Sequence, residues 1–410
     1  MKRVVVTGCG VVSPVGIGRD TFFDSLANGR SGIEAITQMD ADGFSSRIAG
    51  EVKDYEPLSD LSVKDIRKTP RFVQLALTAA QEAFDESGLD ISKEDPYSIG
   101  VIFGSGIGSI GTLENETIKW HIGGPRKISP FLIPMLIVNE AAGGIAIRLG
   151  LKGVNYCPVT ACASGTHAIG EAFEAIKCGR AKAMVCGGTE AAITPLGIGG
   201  FCALKALSTR NDEPQKASRP FDKDRNGFVM AEGAGAVILE EYEHAKQRGA
   251  FIYAEVVGYG ATCDAYHITA PDASGIPASE AMLIALRESG LDMSSSFYVN
   301  AHGTSTQLND KMETAAMKLA FGSTAKDIKI SSTKSMTGHM LGAAGGVEFI
   351  ACCLAIKNEL IPPTINYETP DPECDLFYTP NEALKIKVDA AMSNSLGFGG
   401  HNASVLIKRI

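Results

Sequence analysis

Short runs of β-branched and apolar residues alternate with helix-period segments almost from one end of the chain to the other, and this alternation confines the fold to the α/β class. Val4 to Thr7 reads as a buried strand, and further strands are expected at 98–103, 182–187, 234–240, 251–258, 297–301, 328–332, 388–393 and 403–408. Residues 21–28 read as a helix with Asp20 as N-cap and Gly29 as its stop. Thr69-Pro70 supplies an N-cap and a first-turn proline for a second helix, whose apolar face is Phe72, Leu75, Ala79 and Ala83 and which ends near Gly88. Strands alternating with helices predict largely parallel sheets covered on both faces.

Two segments repeat one layout. In the first, a strand runs to Thr160-Ala-Cys162, a small-residue helix follows from Gly165 to Lys177, and a strand returns at Ala183 to Cys186. In the second, a strand at 328–332 leads to His339, a small-residue helix from Gly342 to Lys357, and Pro362-Pro363. The Ala and Gly content lets each helix pack closely against its neighbours, even at the centre of the protein. The layout suggests two duplicated halves, 1–250 and 251–410, with the polar stretch from Arg219 to Arg248 leading to the boundary.

The 45 glycines among 410 residues follow no collagen period and point to many tight turns and close backbone approaches. A balance of 38 basic against 47 acidic residues, net −9, argues against nucleic acid as the main partner. The ten cysteines show no metal-binding or disulfide spacing, so reduced thiols in the cytoplasm are the expectation. The opening residues lack a signal-peptide apolar region, and no unbroken run of apolar residues is long enough to span a bilayer, so no membrane insertion is expected.

Three patterns attract attention without their usual partners. Gly106-Ile-Gly108-Ser-Ile-Gly111 fits a dinucleotide loop, but Pro125 to Ile128 stands where the ribose-binding acid belongs, and a tight turn over a pocket is the better reading. Asp222-Lys-Asp224-Arg-Asn226-Gly227 opens like a calcium loop, yet the position of the bidentate Glu holds Gly233. Ser331-Ser-Thr-Lys334 matches S-x-x-K without the other serine acyl-enzyme segments.

Cys162 sits at a strand-to-helix junction, where free helix N–H groups and the dipole favour a thiolate. Taken alone it also fits a buried structural cysteine. His302, in Asn300-Ala-His-Gly-Thr304-Ser-Thr306, and His339, in Lys334-Ser-Met-Thr-Gly-His, stand at comparable strand exits among small and hydroxyl residues that leave room for a ligand. Either alone fits a satisfied core histidine, and Lys334 alone a surface lysine. Together they form a thiol nucleophile with two imidazole donors and a lysine facing the same cleft. The glycine-bracketed turn Asn394-Ser-Leu-Gly397-Phe398-Gly-Gly400 can bring N–H groups to a reacting carbonyl.

These segments, in this order and over essentially the whole chain, resemble a β-ketoacyl-acyl-carrier-protein synthase. Ser218-Arg-Pro-Phe-Asp222, the segment from Asp224 to Gly233 and Asp264-Ala-Tyr-His-Ile-Thr-Ala-Pro271 narrow the resemblance to the bacterial, elongating synthase II type. The resemblance implies a thiolase-type fold, a five-layer α-β-α-β-α sandwich, working as a homodimer without metal or redox cofactor. It implies that an acyl chain moves from acyl carrier protein to Cys162. Malonyl-carrier protein then loses CO₂ with help from His302 and His339, and its carbanion attacks the thioester. Lys334 would tune the imidazoles, the N–H groups of Cys162 and Phe398 would form the other oxyanion hole, and the Phe398 ring would gate an acyl pocket lined by Ile107, Phe201 and Leu341. Thr304 and Thr306 are expected on the substrate side.

Two residues depart from the family pattern. Leu132 stands where relatives commonly carry a Phe reaching the partner's acyl pocket, and Gln307 replaces a common Pro. For the acidic carrier protein, Lys64, Arg67 and Lys68 share one face if their stretch is helical, and Arg126, Lys127 and Lys205 match the family's docking positions. A polyketide-type condensing subunit and a non-condensing chain-length-factor-like partner share the fold; the second lacks the nucleophile that Cys162 supplies here.

Overall fold

Strand β1 (Val4–Ser13) is buried along its whole length and lies at the middle of an 11-stranded sheet. The computed structural model describes residues 1–291 and 296–410. The other strands are β2 (Ile99–Gly104), β3 (Asn155–Tyr156), β4 (Ala183–Glu190), β5 (Gly233–Glu241), β6 (Ala254–Cys263), β7 (Phe297–Asn300), β8 (Lys329–Ser331), β9 (Ala390–Gly397) and β10 (His401–Lys408). Their order is β8-β7-β9-β10-β6-β1-β5-β4-β2-β3, and Gly16–Ile17 hairpins onto β1.

The sheet is two arms joined at β1. That strand pairs with β5 from Val4 to Val12, but with β6 only at Val4, Val5 and Val6. Beyond that point the freed N–H groups of Cys9 and Val11 donate to Glu86 Oε2 (2.8 Å) and Glu82 Oε2 (2.9 Å). Both carboxylates belong to the covering helix α1 (Arg71–Ser87), so the arms separate without leaving buried donors unpaired.

Helices complete five layers. α1 and α2 (Glu140–Leu149) cover the first arm, and α4 (Ile276–Ser289) and α5 (Gln307–Phe321) cover the second. Between the arms lie α3 (Ser164–Lys177) and α6 (Ala344–Asn358), in the largest apolar core. α6 is buried at every residue from Ala344 to Ile356. The segment Leu341–Asn358 is therefore long and apolar enough to cross a membrane, yet protein surrounds it on nearly all sides. Small residues make this central crossing possible: a Cβ on Gly165 would lie 2.9 Å from both the Gly342 carbonyl oxygen and the Gly346 nitrogen.

The two segments of similar layout share a local turn. Each central helix follows a 3-10 turn, Ala161–Ala163 before α3 and Leu341–Ala343 before α6, and each turn opens on a left-handed residue, Ala161 at φ 51° and Leu341 at φ 48°.

Several expectations are corrected. The sheet is mixed rather than largely parallel: β4/β2, β2/β3, β9/β7 and β7/β8 are parallel, whereas β1/β5, β1/β6, β4/β5, β6/β10 and β9/β10 are antiparallel. Periodicity locates strands but carries no direction, and the short Phe398–Gly400 connection forces β9 and β10 to run oppositely. The first helix starts earlier than expected, at Arg19, so Asp20 lies in its first turn and Gly18 is its N-cap. Likewise Pro70, not Thr69, is the cap of α1. β3 stops at Tyr156, well before Cys162. Arg219, Asp222 and Arg225, in the polar stretch that leads toward residue 250, are buried in ion pairs.

Candidate active site

The 3-10 turn that starts α3 places Cys162 at the edge of a cavity of about 370 Å³, half-buried. The expected thiolate is not its resting form. Burial pushes the thiol up to about 12; Lys334 opposes this, Glu190 reinforces it, and the N–H groups of Phe398 and of Cys162 itself pull it back. Withdrawing a sulfur anion from water outweighs the helix-terminus field, so the thiol is protonated at neutral pH. The same two N–H groups form a pair of donors at the sulfur, ready for an oxygen that becomes negative beside it.

The turn between β9 and β10 delivers the second of these donors. A Cβ on Gly397 would lie 2.7 Å from the Thr160 carbonyl oxygen and 3.3 Å from the Cys162 nitrogen, so only glycine lets the turn rest against the cysteine. Gly399 and Gly400 adopt φ of 88° and 76°, and the Gly399 N–H donates to Ile268 O at 2.8 Å. The Phe398 ring is half-buried, with its centroid 6.3 Å from that of Phe201.

On the other side of the cavity, His302 follows the end of β7 and His339 follows the single helical turn Lys334–Thr337. Their rings meet edge to face, with centroids 5.3 Å apart. Glu313 of α5 fixes the first by accepting the backbone N–H of His302 (2.7 Å) and of Gly303 (2.8 Å). The peptide N–H of His339 donates to Val229 O at 2.7 Å, which anchors the second. Burial first, then the nearby Lys334, hold both imidazoles well below their ordinary range, so both are neutral.

Lys334 is itself buried, its ammonium paired with Glu348 of α6 and 3.4 Å from His302 Nδ1. An ammonium has only protons to offer, so Nδ1 accepts and the proton of the neutral ring sits on Nε2. His302 thus presents an N–H donor away from Lys334. Burial raises Glu348 to about 7 against the opposing pull of Lys334, and burial likewise raises Glu313 to about 7.

The structure brings most of the sequence-derived residues to one place. Cys162, His302, His339, Thr304, Thr306 and Phe398 line the cavity, with Phe201 and Leu341 on its apolar side. Ile107 joins Cys162, Phe201 and Leu341 in one apolar cluster. Thr304 and Thr306 hydroxyls lie 3.0 Å apart. Gln307 opens α5 where a proline was expected, and its side chain ties down the same loop: Nε2 donates to Arg225 O, while the Arg225 guanidinium donates to Thr306 O and Gln307 O. Leu132, half-buried in the turn Leu132–Leu136, does not line the cavity.

Of the six basic residues singled out for docking, only Lys205 lines the cavity. Lys64, Arg67, Arg126, Lys127 and Lys205 are exposed, and Lys205 lines the cavity rim. The helix expected under Lys64, Arg67 and Lys68 is a single turn, Val63–Ile66. Lys68 is half-buried, its ammonium 4.2 Å from the centre of the Phe131 ring, which joins this turn to the segment after Arg126 and Lys127.

Among the buried carboxylates that escaped the sequence reading, three hold residues of the site or their turns: Glu190, Glu313 and Glu348. Glu348 had a signal, as the one acid in an otherwise apolar helix. Glu190 explains the glycine loop: its carboxylate accepts the N–H groups of Gly106, Ile107 and Gly108, so the tight turn has its donors satisfied from within the protein. In the calcium-like loop Asp222 accepts the N–H groups of Glu368 and Thr369. Lys334 of the S-x-x-K segment pairs with Glu348, while Ser331 bonds to Tyr298.

Comparison with known proteins finds relatives along the whole chain. Residues 1–245 match the family model of the β-ketoacyl synthase N-terminal domain, and residues 253–368 match that of the C-terminal domain. The chain is 52% identical over 408 residues to 3-oxoacyl-[acyl-carrier-protein] synthase 2 of Synechocystis sp., covering 100% of this chain and 98% of the relative. It is 50% identical over 409 residues to the protein of the same name from Coxiella burnetii, covering 100% and 99%. Among solved structures, a type II polyketide ketosynthase in complex with its acyl-carrier protein is similar at TM-score 0.93 and 38% identity, with both chains fully covered. A β-ketoacyl synthase from Burkholderia phymatum is similar at TM-score 0.93 and 36% identity, again with full coverage.

Proposed function

The chain belongs to the β-ketoacyl synthase family and is a condensing acyltransferase that elongates fatty acids on acyl carrier protein; on that premise we propose how its own residues divide the work. The observation that carries the division is the presence of two separate donor sets on one cavity, the N–H groups of Cys162 and Phe398 at the sulfur, and the imidazoles of His302 and His339 opposite.

In the first half-reaction the Cys162 sulfur attacks the carbonyl of an acyl-carrier thioester. The new C–S bond forms as the carbonyl electrons move to oxygen, which the Cys162 and Phe398 N–H groups stabilise. Collapse expels the carrier thiolate, which takes up the proton that the Cys162 thiol gives up. The acyl chain then lies among Ile107, Phe201 and Leu341, and the Phe398 ring swings aside on its glycine hinges to admit it.

In the second half-reaction the malonyl thioester carbonyl accepts N–H groups from His302 and His339. The bond to the carboxyl carbon breaks, CO₂ leaves, and the electron pair is held as an enolate on that oxygen. Two neutral imidazoles suit this task, because they donate without carrying charge into the site. The enolate carbon attacks the acyl carbonyl on Cys162, the first donor pair again stabilises the oxyanion, and the Cys162 thiolate departs and takes a proton from solvent, which restores the resting thiol. Lys334 keeps the His302 proton on Nε2, and Thr304 and Thr306 line the side by which the carrier arm enters.

We place the enzyme in the cytoplasm as a homodimer that recognises acyl carrier protein through Lys64, Arg67, Lys68, Arg126, Lys127 and Lys205. The homodimer is supported by β3, which ends the sheet with an open edge beside the exposed Val154, Tyr156 and Val159. Leu132 would then face the partner's acyl pocket. The family models meet between 245 and 253, which supports a boundary near 250 between halves. A polyketide role is disfavoured because the identity to the polyketide ketosynthase is 38% against 52% and 50% to the fatty acid synthases.

The division of labour is tested by His302→Ala and His339→Ala. Each should lower CO₂ release from malonyl-carrier protein by about 10²-fold, the scale of a lost oxyanion donor, while acylation of Cys162 suffers less. Parental CO₂ release in both folded variants would refute the assignment.

A further inference from the structure

Glu190 ends β4 beneath the nucleophile turn, fully buried, and takes no part in the chemistry above. Its Oε1 accepts the Ser105 hydroxyl (2.9 Å) and the N–H groups of Ile107 and Gly108 (3.2 Å each). Oε2 accepts the N–H of Gly106 (2.8 Å) and, from the other half of the protein, the N–H of Gly342 (3.1 Å). All five partners are donors: Ser105 Oγ already accepts the N–H of Gly108, so its own proton points to the carboxylate. Burial raises this carboxyl above its ordinary range and the donors pull it back; a protonated carboxyl would set an O–H against one of these donors, so the hydrogen-bond geometry favours the charged form.

The two turns that meet on Glu190 carry acyl-pocket residues. One holds Ile107, whose own N–H is among the donors; the other holds Leu341, next to Gly342. There is no slack between them: a Cβ on Gly342 would lie 2.5 Å from the Gly106 nitrogen and 2.7 Å from Glu190 Oε2. We propose that Glu190 is a positioning residue for acyl-chain selection, its carboxylate locking the Ile107 turn of one half and the Leu341 turn of the other into the spacing that a long acyl chain requires. This rests on the reading that Cys162 receives an acyl chain. The role differs from generic packing in two ways. The clamp acts on pocket residues, so its loss scales with the length of chain inserted. Its charge also reaches Cys162, where it holds the thiol up, opposite in sign to Lys334; the imidazoles His302 and His339 facing the same sulfur are neutral.

Glu190→Gln keeps the shape but turns an amide N–H₂ toward backbone donors. With acyl-carrier donors from hexanoyl to tetradecanoyl, KM for Cys162 acylation should rise progressively, reaching about tenfold at the longest chain, equivalent to ~1.4 kcal/mol. Removing the negative charge should also move the pH profile of Cys162 alkylation by iodoacetamide to lower pH. Ser105→Ala removes one neutral donor, so it should give a smaller KM effect in the same direction and leave the alkylation profile in place. If Glu190→Gln loses its cooperative melting transition, Ser105→Ala carries the test alone through its length-dependent KM. A folded variant with the parental chain-length profile, or with equal loss at every length, overturns the proposal. Absence of acyl transfer to Cys162 in the parental enzyme would instead overturn the functional reading.

Discussion

Replacing Gly397 by alanine separates the two donor sets with one methyl group. The added Cβ would stand 2.7 Å from the Thr160 carbonyl oxygen and 3.3 Å from the nitrogens of Cys162 and Ala163. All of these are backbone atoms, which cannot rotate away. Restoring ordinary contact at about 3.4 Å needs the β9–β10 turn to retreat by about 0.7 Å, which takes the Phe398 N–H from hydrogen-bond range to beyond it. A lost oxyanion donor costs about 10²–10³-fold, or about 2.7–4 kcal/mol of transition-state stabilisation. Single-turnover transfer of an acyl group from its carrier protein, read by rapid quench and mass spectrometry, should slow by that factor. CO₂ release from malonyl-carrier protein relies on the other donor set and should stay within about threefold, as expected for independent sites. Gly397→Ala with parental acyl transfer and an intact fold would refute the placement of the Phe398 N–H; equal losses in both half-reactions would refute the separation.

Lys334→Met leaves Glu348 buried without its partner, which should cost about 3–5 kcal/mol of stability. Glu348 already sits at about 7 in the fold, and removing the lysine that lowers it raises it further. A carboxyl whose folded value is raised binds its proton more tightly folded than unfolded, so the deficit should grow as pH rises above about 7 and shrink toward about pH 6. Thermal melts across that window check this, and a pH-independent deficit would contradict it. Reversing Arg67 and Lys127 to Glu should raise KM for carrier-bound substrates by about tenfold and leave a small pantetheine thioester nearly unaffected; equal loss on both would remove these residues from docking.

How much was legible in the sequence follows from what each residue does. Cys162, His302, His339 and Phe398 stand at strand exits and glycine turns with distinctive neighbours, and the structure gathers them around one cavity. The apolar face of α1 was legible because Phe72, Leu75, Ala79 and Ala83 recur at helical spacing, and all four are buried. Strand direction was not, since an apolar run reads alike in both directions. Nor was the protonation of Cys162: the helix terminus is visible in sequence, but the desolvation that overrides it depends on walls from both halves. Glu190 acts by accepting a donor far away in the chain, Gly342, while Glu313 and Glu348 accept His302 and Lys334 from the preceding loop or turn, and sequence spacing alone does not announce such pairings. The close central packing of α3 and α6 was expected from their small residues and the five layers only from the family resemblance, whereas the splitting of one sheet into two arms depends on Glu82 and Glu86, which read only as the polar face of a helix.

The central claim is that Cys162, alone among ten cysteines, accepts the acyl chain. Peptide mass spectrometry after incubation with an acyl-carrier thioester tests it directly. The acyl mass should appear on the peptide containing Cys162 and be discharged when malonyl-carrier protein is added. Acylation of Cys157 or Cys186 with Cys162 unmodified would contradict the account.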